Sequence, residues 1–177
     1  MLERLWPSYH RWDIARRIRR SGWTAIYVGD YRSAPTWTYT IGFHASLGAP
    51  EVIVFDIPME SANGLLHEIH GDLKSGKLVI RDREAWRSGE FPNPLVWREV
   101  HGSRLYDKDS ENPWLGLAED FAAILAPDTG PITAFQLVLS DPDGHREPEY
   151  DERLRPMQRE LNLPREDPQD PGAAYPP

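Results

Sequence analysis

Two histidines lie three residues apart in the segment His67-Glu-Ile-His70. On a helix this spacing places both imidazoles on one face, where His44 or His101 could complete a set of three metal ligands. The helical metalloprotease pattern needs histidines four residues apart with a glutamate between them, and this segment does not meet it. We therefore predict no metal site; a site built from His67, His70 and His101 is the alternative.

Other catalytic patterns are missing from the sequence. It has no cysteine, which excludes a cysteine nucleophile, a disulfide framework and iron–sulfur chemistry. It has no Gly-x-Ser-x-Gly nucleophile elbow, and Lys74-Ser-Gly-Lys77 lacks the leading glycine of a phosphate-binding loop. These absences favour a non-catalytic domain.

The segment Tyr39-Thr-Ile-Gly-Phe-His44 is the stronger candidate for binding. It ends an alternating strand at Gly42, where the missing side chain leaves room for a ligand or another segment to approach the backbone. Tyr39, Thr40 and His44 offer two hydroxyls and an imidazole at this strand end. We predict that Tyr39, Thr40, Gly42 and His44 form the rim of a ligand-binding pocket. The alternative is that Gly42 accommodates a bulge and Thr40 is a neighbour in the strand ladder.

Turn residues and apolar periodicity define the elements around these candidates. Helices are predicted over residues 8–21, from Pro58 to the Ser75-Gly76 stop, and over residues 112–125. Strands are predicted at residues 23–28, 36–41, 51–55, 77–80, 95–100 and 132–139, with a loop of weak helical character over 82–94. The first two strands form a predicted hairpin, and the continuous apolar run 51–55 is typical of a strand covered on both faces.

This order of elements predicts an α+β fold. Strands come in pairs and triples with few helices between them, so we expect a mostly antiparallel sheet or half-open barrel with helices on one face. The regular strand–helix alternation of a doubly wound parallel sheet is missing.

Length and charge predict how the chain is organised. Its 177 residues suffice for a single globular domain over residues 1–150, followed by a polar extension over 151–163 and a proline-rich, disordered tail over 164–177. Residues 1–22 contain six arginines against two acidic residues, whereas residues 141–170 contain ten acidic residues against five arginines. A basic beginning and an acidic end could attract each other within the chain.

Net charge and apolar runs also limit the partners. The net charge of −8 argues against nucleic acid as a partner. The sequence has neither a secretory signal nor an apolar run long enough to span a membrane, so we expect a cytoplasmic protein with no membrane partner.

Three motifs resemble a known family. They are Trp37-Thr-Tyr-Thr-Ile-Gly-Phe43, then Pro50-Glu-Val-Ile-Val-Phe55, and finally Gln136-Leu-Val-Leu-Ser-Asp-Pro-Asp-Gly144. In this order they resemble a bacterial domain family of unknown function that is common in actinobacteria. The resemblance covers roughly residues 18–150, and it implies no activity.

The expected function is therefore binding. We predict a non-catalytic ligand-binding or protein-interaction domain whose partner, a small molecule or a protein, is unknown, as is any cofactor. Two alternatives stay open: a flavin- or nucleotide-binding enzyme of split-barrel type, and a histidine-based metal-dependent hydrolase.

Overall fold

The computed structural model describes residues 8–30, 33–105 and 115–139 of the chain. Its helices are α1 (Ser8–Ser21), α2 (Phe43–Leu47), α3 (Met59–Ser75), α4 (Gly102–Leu105) and α5 (Gly116–Leu125). Its strands are β1 (Thr24–Asp30), β2 (Ser33–Ile41), β3 (Glu51–Phe55), β4 (Ala85–Trp86), β5 (Leu95–Glu99) and β6 (Ala134–Leu139).

The strands form one open sheet of six strands in the order β1-β2-β3-β6-β5-β4. Every neighbouring pair is antiparallel except β3 and β6, which run parallel with Val52 opposite Phe135. The predicted α+β class and mostly antiparallel sheet are confirmed, and so is the hairpin of β1 and β2. The sheet is open and does not close into a barrel.

Strand β3 lies in the middle of the sheet and all five of its residues are buried. Ile53 and Phe55 pack in one core with α1 and α5, whereas Val52 and Val54 pack in a second core with α3. The prediction that β3 is covered on both faces is confirmed. The helices therefore lie on both faces of the sheet and not on one, because a strand that is apolar on both sides needs cover on both.

Helix α3 begins and ends where local signals place it. Pro58 precedes it, and Gly76 ends it in the left-handed conformation (φ 73°), with its N–H directed to the carbonyls of Asp72 and Leu73. Four apolar side chains of α3 are buried against the sheet: Ala62, Leu65, Leu66 and Ile69. Among the described helices, none is long and apolar enough to cross a membrane.

The segment after α3 differs from the prediction. Residues 77–80 form no strand, although Leu78 and Ile80 are half-buried against the α3 core and Val79 is 58% exposed. The alternation of apolar side chains over residues 77–80 therefore reflects the burial of every second side chain, although the segment forms no backbone hydrogen bonds with a described strand. The short strand β4 (Ala85–Trp86) lies instead in the predicted loop, where it pairs with Leu95 and Val96.

Several predictions concern residues outside the described ranges. These are the extension over 151–163, the tail over 164–177 and the start of the third predicted helix at residues 112–114. The single-domain boundary at residue 150 also stays a prediction.

Candidate functional site

Glu51, the first residue of β3, has its side chain in the protein interior, where the residue is 1% exposed. One carboxylate oxygen, Oε2, accepts the hydroxyl hydrogen of Thr40 at 2.6 Å. The other, Oε1, accepts the backbone N–H groups of Gly42 at 2.9 Å and His44 at 3.1 Å. Burial raises the pKa of the Glu51 carboxyl above its ordinary value, and these hydrogen bonds oppose the rise. Glu51 therefore caps the beginning of α2 from a neighbouring strand.

Thr40 completes the pairing of β2 with β3. The last backbone pair between these strands is Tyr39 with Ile53. Beyond it, the Thr40 hydroxyl oxygen accepts the N–H of Val52 at 2.8 Å while its hydrogen goes to Glu51. The hydroxyl thus takes the place of a backbone carbonyl in the ladder.

Gly42 is positioned by the turn between α1 and β1. Its φ of 110° is one that residues with side chains rarely adopt, and a Cβ added here would lie 2.6 Å from the carbonyl oxygen of Gly22. It would also lie 3.0 Å from the Cα of Trp23. The space beside Gly42 is therefore filled by another segment of the chain.

Tyr39 and His44 lie apart from each other. Tyr39 is 4% exposed in the core that contains α1 and α5. Burial raises the pKa of the Tyr39 hydroxyl, which accepts a hydrogen bond from the backbone of Leu117. His44 is half-buried, and its Nε2 lies 2.7 Å from the hydroxyl oxygen of Thr129.

Of the four predicted rim residues, the structure brings Thr40, Gly42 and the backbone of His44 together around Glu51. Thr40 and Gly42 are buried, and so is Tyr39, which packs with other partners. That these residues contact a ligand stays a prediction. The sequence analysis did not identify Glu51 as a site residue. The sequence feature that indicates it is a charged residue at the first position of an otherwise apolar strand.

His67 and His70 pack on an aromatic cluster beside α3. The ring of Trp23 meets His67 edge-on at 4.9 Å and stacks on His70 at 5.4 Å. Burial, followed by the nearby charges of Lys74 and His67, lowers the pKa of His70. These imidazoles contribute to packing.

His101 lies elsewhere, after the end of β5, where the N–H of Ser103 donates to its Nδ1 at 3.2 Å. Across the described ranges, no three residues of the metal-binding types come close enough to hold an ion. His67, His70 and His101 therefore do not form the metal triad of the alternative prediction, since the first two pack on Trp23 and the third follows β5.

A cleft of about 440 Å³ opens beside the carboxyl end of β5. Its lining consists of Asp82, Arg83, Arg98, Glu99, Val100, His101 and Gly102. The turn before β4 forms one wall: Asp82 Oδ1 accepts the N–H of Glu99 at 2.9 Å, and the N–H of Arg83 donates to the Trp97 carbonyl at 2.7 Å. Arg83 has φ 65°, an uncommon conformation for a residue with a side chain.

One carboxylate in this cleft faces two guanidinium groups. Arg98 Nε lies 3.4 Å from Asp82 Oδ1, and Arg83 Nε lies 3.4 Å from Asp82 Oδ2. The Arg98 side chain is only 17% exposed, whereas that of Arg83 is 79% exposed. Arg98 Nε is buried and has no hydrogen-bond partner within the described structure. Sequence reasoning missed this cleft, because Asp82 and Arg98 meet only when the turn before β4 folds along β5.

The family follows from a sequence profile. The profile of the domain of unknown function DUF4262 matches residues 17–146, well over half of the chain. The chain belongs to this family. No curated protein and no solved structure resembles the chain closely enough to count as a match.

The DUF4262 match contains both groups of residues described above. Glu51 with its partners and the cleft at Arg98 lie inside residues 17–146, whereas the first half of α1 lies before the match. The family description assigns no function, so the function must be argued from the site.

Proposed function

We propose that this DUF4262 domain is a non-catalytic binding domain that holds a small molecule by an oxyanion group, a carboxylate or a phosphate. The proposed site is the cleft at Asp82, Arg83, Arg98, Glu99 and His101. The observation that carries the proposal is the Arg98 guanidinium, which lines the cleft with a side chain that is only 17% exposed and lies 3.4 Å from the Asp82 carboxylate.

The chemistry of arginine favours this ligand class. A guanidinium presents a planar set of donors that matches the two oxygens of a carboxylate or phosphate. A bound oxyanion would pair with the part of the Arg98 guanidinium that lines the cleft, where the contact of Nε with Asp82 is long at 3.4 Å.

The charge balance of the cleft limits the size of the anion. Two arginines face two acidic residues, Asp82 and Glu99, so the cleft has little excess positive charge. His101 adds a donor, because its Nδ1 accepts from Ser103 and the neutral ring then carries its hydrogen on Nε2. This balance fits one oxyanion group on a small molecule, and it disfavours a polyanion such as nucleic acid.

The other two functions from the sequence have less support. The flavin alternative depended on likeness to a split barrel, and the sheet is open. The metal-dependent hydrolase required three histidines together, and no group of three possible metal ligands lies together in the described ranges.

Calorimetric titration with defined probes tests the proposal. Succinate and inorganic phosphate represent the two oxyanions, and succinamide is the neutral match for succinate. At least one anion should bind while succinamide does not, and Arg98→Gln should weaken binding at least tenfold. Arg87→Gln, at an exposed arginine outside the cleft lining, is the matched control and should bind as the unchanged protein does.

Two results would overturn the proposal. One is that neither anion binds the unchanged protein; the other is that Arg98→Gln retains full affinity. If Arg98→Gln does not fold, Arg83→Gln replaces it, because the Arg83 side chain is 79% exposed and its loss should leave the fold intact.

A further inference from the structure

One face of α1 carries an aromatic residue and three arginines. Trp12, Arg16, Arg19 and Arg20 stand at positions i, i+4, i+7 and i+8, so they form one stripe along the helix, here called the α1 stripe. All four are exposed, and Trp12 has 55% of its surface accessible. The Arg16 guanidinium lies over the Trp12 ring, 5.6 Å from its centroid.

The arginines of the α1 stripe differ from the other arginines of α1 in their ion pairs. Arg11 pairs with Asp120 of α5, and Arg17 pairs with Asp13 one turn away. Arg16, Arg19 and Arg20 have no acidic partner in the described parts of the chain. The dipole of α1 favours the two arginines of its last turn, Arg19 and Arg20, but it does not account for Arg16 or for an exposed tryptophan beside it.

The same chain contains a segment of opposite character. Residues Glu147-Pro-Glu-Tyr-Asp-Glu152, here called the acidic segment, contain four carboxylates and one tyrosine but no basic residue. The segment begins directly after the DUF4262 match ends at residue 146, while Trp12 and Arg16 precede its start at residue 17. The basic aromatic stripe thus crosses the start of the family match, and the acidic aromatic segment follows its end.

We propose that the acidic segment docks on the α1 stripe of the same chain. Its carboxylates pair with Arg16, Arg19 and Arg20, and Tyr150 packs beside Trp12. Exposed ion pairs are individually weak, so a free acidic peptide would bind poorly. A tethered segment is present at an effective concentration of about millimolar, which is why the occupant is the chain itself. This inference is independent of the proposed ligand site.

A spin label tests the contact in the full chain. The chain has no cysteine, so Arg153→Cys gives a single labelling site next to the acidic segment. With a nitroxide at this position, the amide signals of residues 12–20 and the Trp12 indole signal should lose most of their intensity at low salt. The intensity should return at about 1 M salt, where the Debye length falls to about 3 Å.

Three variants give the test its specificity. In R16Q/R19Q/R20Q the signal loss should disappear, whereas in K74Q/K77Q, a control at exposed lysines around the C-terminal end of α3, it should persist. Exchanging the charges, with R16E/R19E/R20E and E149R/D151R/E152R together, should restore the loss of signal.

Three outcomes would overturn the proposal. The first is that the α1 amide signals keep full intensity at low salt. The second is that the nitroxide reduces these signals in R16Q/R19Q/R20Q as much as it does in the chain without these three substitutions. The third comes from mixing isotope-labelled chain without nitroxide with unlabelled chain that carries it: signal loss in this mixture would mean docking between copies.

Discussion

The carboxylate of Glu51 accepts the hydroxyl hydrogen of Thr40 at 2.6 Å, and both residues are almost completely buried. The Thr40 hydroxyl oxygen also accepts the N–H of Val52, while the other Glu51 oxygen accepts the N–H groups of Gly42 and His44. These two side chains therefore join β2, β3 and the beginning of α2. In the described structure the Tyr39–His44 segment owes its shape to this buried pair.

Glu51→Ala should destabilise the protein strongly. The change leaves the N–H groups of Gly42 and His44 and the Thr40 hydroxyl without their acceptor. At about 1–3 kcal/mol for each orphaned buried donor, the loss of unfolding free energy should be at least about 3 kcal/mol. Glu51→Gln should cost less, because its amide oxygen can still accept both N–H groups. Urea unfolding measures both, and equal losses for the two variants would contradict the hydrogen-bond account.

The stability contribution of Glu51 should depend on pH. Burial raises its pKa in the folded protein above the ordinary 4.5, so the folded state holds the proton more tightly than the unfolded state. Its contribution is therefore fully present below about pH 4.5 and is lost as the pH rises through the folded pKa. As the pH rises through this pKa, the unfolding free energy of the wild-type protein should fall relative to that of Glu51→Gln. A relative gain would show that hydrogen bonding outweighs burial.

Gly42→Ala should also destabilise the protein. The new Cβ would lie 2.6 Å from the Gly22 carbonyl oxygen, at a φ of 110°. Backbone strain of this kind costs about 1–3 kcal/mol, and the clash adds to it. Gly71→Ala is the matched control, since nothing lies within 4 Å of that position in α3, and it should stabilise by about 0.5–1 kcal/mol. Thermal unfolding that ranks the two variants in the reverse order would refute this geometry.

Tyr39→Phe and His44→Ala decide whether the strand end binds a ligand. Because Tyr39 is 4% exposed and His44 contacts Thr129, we expect neither change to alter the affinity for succinate or phosphate. Calorimetry on both variants checks this. A tenfold loss in either one, with the fold intact by circular dichroism, would move the binding site to the strand end.

Elements with local signals could be predicted from the sequence. Helix α3 is set by Pro58 and Gly76, which act on the backbone at their own positions. Strand β3 was recognised because a continuous apolar run is stable only when both of its faces are covered, and all five of its residues are buried.

Features that depend on distant partners could not be predicted. Helix α2 takes its N-terminal acceptor from Glu51, which reaches it only after β2 and β3 have paired. The cleft likewise forms when Asp82 meets Arg98 across the turn before β4. The sequence indicated that a ligand or another segment approaches Gly42, but it could not identify Gly22 as the neighbour, because nothing in the local sequence brings the α1–β1 turn to β2.

Mapping backbone amide shifts by NMR during titration with succinate and with inorganic phosphate tests the central claim most directly. If the anion binds in the cleft, the largest amide shifts should fall at residues 82–83 and 98–102 and should saturate as binding to a single site does. These shifts should vanish in Arg98→Gln and persist in Arg87→Gln. Saturating shifts centred on residues 39–44, or the same shifts in Arg98→Gln as in the unchanged protein, would contradict it.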